Sequence, residues 1–111
     1  MEIEITPGAV DVIVLRGTID ALTAPKVIEA FAKHINDGHP YVVVDFANVE
    51  FMSSAGLRAL LASVKEARSK GGDLRIAAVP ATIEKILKMA GFYTIIKVYA
   101  SAAEAQASFE K

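Results

Sequence analysis

Residues 41–58 read YVVVDFANVEFMSSAGLR, and this stretch decides the fold. The nearly unbroken apolar run from Tyr41 to Phe46 predicts a strand covered on both faces. A tight turn follows, and the adjacent Ser53 and Ser54 then stand at the entrance of a helix. A helix entrance carries unpaired backbone N–H groups and the positive end of the helix dipole, so it accommodates an anion. A serine there reads either as a helix cap or as a site prepared for a phosphate.

Working outward, the helical pattern runs from Ser54 to Lys70, with Leu57, Leu60, Leu61, Val64 and Ala67 as its buried stripe. Gly71 and Gly72 close it, as a left-handed C-cap would. Residues 74–79 form an alternating strand. Pro80 opens a helix carrying Ile83, Ile86, Leu87 and Ala90, which Gly91 ends, and residues 95–99 form a last strand. Ser101 and Glu104 make a capping box for a short final helix. On the N-terminal side, residues 2–6 alternate, Pro7-Gly8 signals a turn, and residues 10–16 form a second strand ended by Gly17. Residues 18–22 read as a loop. Thr23 is placed to cap a helix on which Ala24, Val27, Ile28, Phe31 and Ile35 recur, with Gly38 as its stop. The order is β-β-α-β-α-β-α-β-α. Strands separated by helical stretches predict an α/β fold with a mostly parallel sheet and an N-terminal hairpin strand.

Length and composition set the outer limits. The chain has 111 residues, 53% hydrophobic and 23% charged, with a net charge of −1. That predicts a single domain over 1–111 with one core. The charge balance shows no basic excess for nucleic acid or anionic lipid. The absence of cysteine excludes a disulfide framework, a thiolate metal site and a cysteine nucleophile. The N-terminus has neither the basic nor the apolar region of a signal peptide, and no apolar run approaches a membrane span. The expectation is a cytoplasmic protein without a membrane span.

Three stretches resemble the STAS domain of the anti-sigma factor antagonist family. Gly17-Thr18-Ile19-Asp20 followed by Ala24 resembles that family's G-x-[LI]-D-x-x-x-A. Val43 to Phe46 with Phe51 to Leu57 resembles its strand plus F-[MI]-D-S-[ST]-G-L. Gly71 to Leu74 with Met89 to Phe92 resembles its GG-x-L strand and [LM]-[TSA]-G-[LF] helix end. The resemblance implies the STAS fold with about four helices. It also implies a mechanism: the unphosphorylated domain binds an anti-sigma factor that is a serine kinase, and so releases a sigma factor. Phosphorylation of the motif serine ends the binding, and a phosphatase resets the domain. That serine maps onto Ser54. The family's preceding aspartate is Ser53 here, and its following Ser/Thr is Ala55.

The partner surface implied by the resemblance comprises Asp20, Leu22, Thr23, Ser53, Ser54, Ala55 and Arg58. Asp20 follows the second strand and reads either as an orienting group for Ser54 or as a loop aspartate in a local Asx turn. Arg58, one helical turn after Ser54, reads as a phosphate partner or an ordinary exposed arginine. Met52 reads as core. STAS-like domains also serve as adaptor subunits of lipid-transport ABC systems or of stress-sensing complexes, where the serine turn would be a constitutive docking surface.

An enzyme is not expected. A serine nucleophile needs a base about 3 Å away. From strand and helix rises, His39 falls ~20 Å and His34 ~15 Å from Ser54. No G-x-S-x-G elbow and no phosphate-binding loop occur. The carboxylates lack metal-ligand spacing, so neither metal nor cofactor is expected. The chain reads as a monomer or weak dimer.

Overall fold

The protein is described by a computed structural model covering residues 1–109. Five strands form one sheet in sequence order: β1 (Glu2–Thr6), β2 (Val12–Ile19), β3 (Tyr41–Met52), β4 (Asp73–Ala77) and β5 (Val98–Tyr99). β1 runs antiparallel to β2, and the remaining neighbours are parallel. Four helices, α1 (Ala24–Asn36), α2 (Ser54–Ser69), α3 (Ala81–Met89) and α4 (Ala102–Ala107), complete the expected element order.

Side-chain alternation divides the core between the two faces of the sheet. Ile13, Leu15 and Ile19 of β2, with Val42, Val44, Phe46, Val49 and Met52 of β3, point to one face. There they pack with Val27, Phe31 and Ile35 of α1, Leu60, Val64 and Ala67 of α2, and Ile83 and Leu87 of α3. Val12, Val43 and Ala77 point to the other face and meet Ala105 of α4. Val42, Val43 and Val44 are all fully buried, as the apolar run requires. Burying each such side chain contributes about 1.5–3 kcal/mol.

Four strands differ in extent from the sequence reading. β3 does not stop at Phe46 but continues to Met52, so the expected turn after Phe46 is strand. From Val14↔Asp45 to Ile19↔Met52, β3 uses two more residues than β2, one at each of two register shifts. Each bulge adds a residue, so the buried positions Phe46, Val49 and Met52 recur every third residue rather than every second. β2 correspondingly passes through Gly17 to Ile19, and Thr18 and Ile19 belong to the sheet rather than to a loop. β4 ends at Ala77, where Ala78 takes a left-handed conformation (φ 56°) ahead of Pro80. Most of the expected 95–99 strand is absent. Phe92–Thr94 form a 3-10 turn, the N–H groups of Ile95 and Ile96 donate to the Phe92 carbonyl, and only Val98 and Tyr99 pair with β4. In α2 the buried stripe is Gly56, Ala59, Leu60, Ser63, Val64 and Ala67, while Leu57 and Leu61 are half-buried.

Candidate functional site

β2 and β3 end side by side, with Ile19 paired to Met52. The chain therefore enters α1 and α2 from neighbouring positions, and the two entrances form one surface. The Ser53 N–H donates to the Ile19 carbonyl at 2.9 Å, tying the second entrance to the first.

At the α2 entrance Ser53 has extended backbone (φ −86°, ψ 176°), and its Oγ accepts from the Gly56 N–H at 3.3 Å. Its carbonyl accepts the first intrahelical bond, from Leu57 at 3.0 Å. Ser53 is thus the N-cap. Ser54 is the first helical residue. It is exposed, and its hydroxyl has no hydrogen-bond partner among the described residues. Ala55 is half-buried beside it. The packing beneath is close: a Cβ on Gly56 would sit 2.7 Å from the Ile19 carbonyl oxygen and 2.9 Å from Met52 Cγ. Glycine lets the helix start directly against the ends of both strands. Met52 itself is core, 2% exposed.

The α1 entrance is built differently: Thr23 stands at the N-cap position and its carbonyl accepts from the Val27 N–H, but its side chain makes no capping bond to the helix. Asp20 Oδ1 accepts from the N–H groups of Leu22 (3.0 Å) and Thr23 (3.2 Å). The Asp20 carbonyl accepts from Ala24 at 2.8 Å. Asp20 therefore caps a turn that leads into α1. Thr23 Oγ1 accepts in return from the Asp20 N–H at 2.9 Å and donates to the Thr18 carbonyl at 2.8 Å. This is a reciprocal capping box, with Asp20 in the cap position and Thr23 three residues on. The structure thus gives Asp20 the local role, bonding its own loop rather than the Ser54 hydroxyl. The box leaves Leu22 standing out from the protein, 90% exposed.

Arg58 is exposed on α2 and forms no ion pair among the described residues. Phe51, immediately before the serine turn, is 51% exposed. It lies opposite Thr18, on the face away from Met52. Alternation from Phe46 already places Phe51 on that face, because the two bulges cancel and the residue they turn inward is Val49. The site thus gathers a hydroxyl, a cation and two large apolar side chains around two helix entrances. His34 and His39 lie at the other end of the sheet: His39 precedes β3, and Ser54 follows it. Neither supplies a base to the serine.

A central β3 running into a serine-capped helix, with an acid-capped helix beside it, defines a class of domain. The sequence profile of the STAS domain matches residues 1–105, and the chain belongs to that family. Among curated relatives, BtrV of Bordetella bronchiseptica, a candidate anti-sigma factor antagonist, is 28% identical over 96 residues, covering 86% of this chain and 83% of BtrV. Among solved structures, an anti-sigma factor antagonist from Mycobacterium paratuberculosis superposes with a TM-score of 0.89 at 23% identity, covering 99% and 94% of the two chains. The anti-sigma factor antagonist SpoIIAA superposes at 0.82 in its unphosphorylated form, at 19% identity and covering 96% and 95%. In its phosphorylated form it superposes at 0.70, at 21% identity and covering 94% of each chain. These superpositions establish the shared fold. Among the described residues, no helix is long and apolar enough to cross a membrane.

Proposed function

We propose that residues 1–111 act as a single STAS domain that antagonises an anti-sigma factor and is switched by phosphorylation of Ser54. In this reading the unphosphorylated chain docks on an anti-sigma factor serine kinase in the cytoplasm and frees a sigma factor. The kinase transfers a phosphoryl group to Ser54 Oγ, the complex separates, and a phosphatase restores the hydroxyl. The chain is a regulator rather than an enzyme.

One observation carries the proposal. Capping is done by Ser53, so the neighbouring Ser54 hydroxyl is exposed and uncommitted at the first position of a 16-residue helix. A phosphate there adds about −1.5 to −2 charge. Inside the domain the helix N-terminus tolerates that charge. A partner lying over the same turn would have to desolvate a dianion, at a cost far above that of an ordinary contact. The Ser53 position, aspartate in the family motif, fits this division of labour. Aspartate and serine are both strong N-caps, so the substitution keeps the cap and leaves the next hydroxyl free. Relatives of this chain are named as anti-sigma factor antagonists, and one structural neighbour, SpoIIAA, is known in both phosphorylation states.

The contact surface in this reading is Leu22, held out by the Asp20–Thr23 box, together with Ser53, Ser54, Ala55 and Arg58, and Phe51 at its margin. Incubation with the cognate kinase and ATP, followed by intact-mass measurement, tests it. A gain of one phosphate that Ser54→Ala abolishes is expected. No gain would leave a constitutive adaptor, of the kind found in lipid-transport or stress complexes, as the reading to pursue.

A further inference from the structure

We propose that Asp11, His34 and His39 form a site for one divalent transition-metal ion, zinc(II) being the cation its donors suit. The three residues come from different elements at the end of the sheet remote from Ser54. Asp11 precedes β2, His34 lies in the last turns of α1, and His39 precedes β3. Each offers one ligand atom, and all three atoms lie within 4.8 Å of one another. Sequence spacing gave no hint of this group, because the residues converge only when hairpin, helix and sheet assemble.

His34 is the centre of the case. It is 8% exposed, and its Nε2 is buried without a hydrogen-bond partner. Such an atom loses its hydration with nothing in return. Asp11 Oδ2 stands 3.6 Å away. That is too long for a hydrogen bond. It is close to the separation of about 3.4 Å between two ligands bound ~2.1 Å from one tetrahedral ion. Burial and the neighbouring His39 hold the His34 pKa below its ordinary value, against the pull of Asp11 and Asp37, which favours the neutral, ligating imidazole.

The carboxylate is positioned in advance. Asp11 Oδ1 accepts from the Gly8 N–H at 3.1 Å, which leaves Oδ2 for the histidine side. The same loop is pinned by Gln106 of α4, whose Nε2 donates to the Val10 carbonyl at 2.6 Å. Gly8 allows that approach, since a Cβ there would meet Gln106 Nε2 at 2.9 Å. A partner fixing the orientation of a ligating side chain is what metal sites require. His39 supplies the movable ligand. It is exposed between Gly38 and Pro40, and its ring stacks on His34 with centroids 4.8 Å apart. Its ligand atom already lies within 4.8 Å of the other two, so a rotation of that exposed ring would let it complete the donor set.

Access exists from both sides. His34 lines a groove between β1 and α1, and Asp11 and His39 line a 310 Å³ depression around the first loop. Lys33, in the first groove, has its charge paired with Asp37 at 2.9 Å and so offers little repulsion to a cation. Two imidazoles and one carboxylate select borderline transition ions over magnesium or calcium, which prefer all-oxygen shells. Water would fill the remaining positions. The ion would clip the hairpin loop, the end of α1 and the start of β3 together.

The test is calorimetric titration of zinc into tag-free, chelator-treated protein, with thermal melts of the same samples. Wild type should take up one ion per chain, and its melting temperature should rise with free zinc. His39→Ala changes an exposed residue, and Asp11→Asn keeps the side-chain volume. Each should weaken uptake by roughly tenfold or more and remove the thermal shift. Absence of stoichiometric uptake by the wild type would overturn the proposal, as would uptake that both variants retain.

Discussion

The two helix entrances at the top of the sheet solve the same problem in opposite ways. Both must satisfy the free N–H groups of a helix start. At α1, Asp20 and Thr23 bond each other reciprocally and Thr23 also donates to the Thr18 carbonyl, so the loop's polar groups are spent on its own shape. At α2, one serine does the capping and the next hydroxyl is left over. The first entrance is a frame that holds Leu22 outward. The second is a chemically open position on a rigid base. Where capping groups are fully engaged, substitution should read out as stability. Where a hydroxyl is surplus, it should read out as binding alone.

Substitutions at four positions sharpen that contrast, in falling order of effect on stability. Gly56→Ala forces a methyl against the Ile19 carbonyl and Met52. It should cost about 1–3 kcal/mol in urea denaturation. Asp20→Ala removes the acceptor for two N–H groups, and a loss of about 1–2 kcal/mol is expected, together with altered amide shifts from Asp20 to Ala24 by NMR. Ser53→Ala should cost about 1 kcal/mol, and Ser53→Asp should restore it, since either side chain caps. Ser54→Ala should stay within about 0.5 kcal/mol of wild type while removing the phosphorylation site. A Ser54→Ala loss equal to that of Ser53→Ala would show that the hydroxyl is structural after all.

Much of the sheet was legible because burial on both faces leaves an unbroken apolar run at residues 41–46, and because helix stripes such as Val27, Phe31 and Ile35 keep their period. What escaped the sequence has physical causes. The two bulges put Phe46, Val49 and Met52 three residues apart, a spacing that mimics the end of a strand. The same bulges turned Val49 inward, while Phe51 keeps the facing that alternation from Phe46 gives it. Thr23 precedes the apolar helix stripe and does stand at the N-cap position, but its hydroxyl bonds back to Asp20 and Thr18 instead of to the helix, and the turn before it is capped by Asp20. The serine pair was readable as cap or switch. Only coordinates could assign the cap to Ser53. The histidine–aspartate group was invisible for a different reason: its members are separated in sequence and meet only through tertiary packing.

Affinity for the partner kinase, compared between the unmodified chain and the chain carrying one phosphate on Ser54, tests the central claim most directly, with thermal melts of both forms alongside. Binding should fall at least roughly tenfold, a difference of about 1.4 kcal/mol, while the melting temperature stays essentially unchanged. Equal affinity of the two forms, or a lost affinity accompanied by unfolding, would contradict the account.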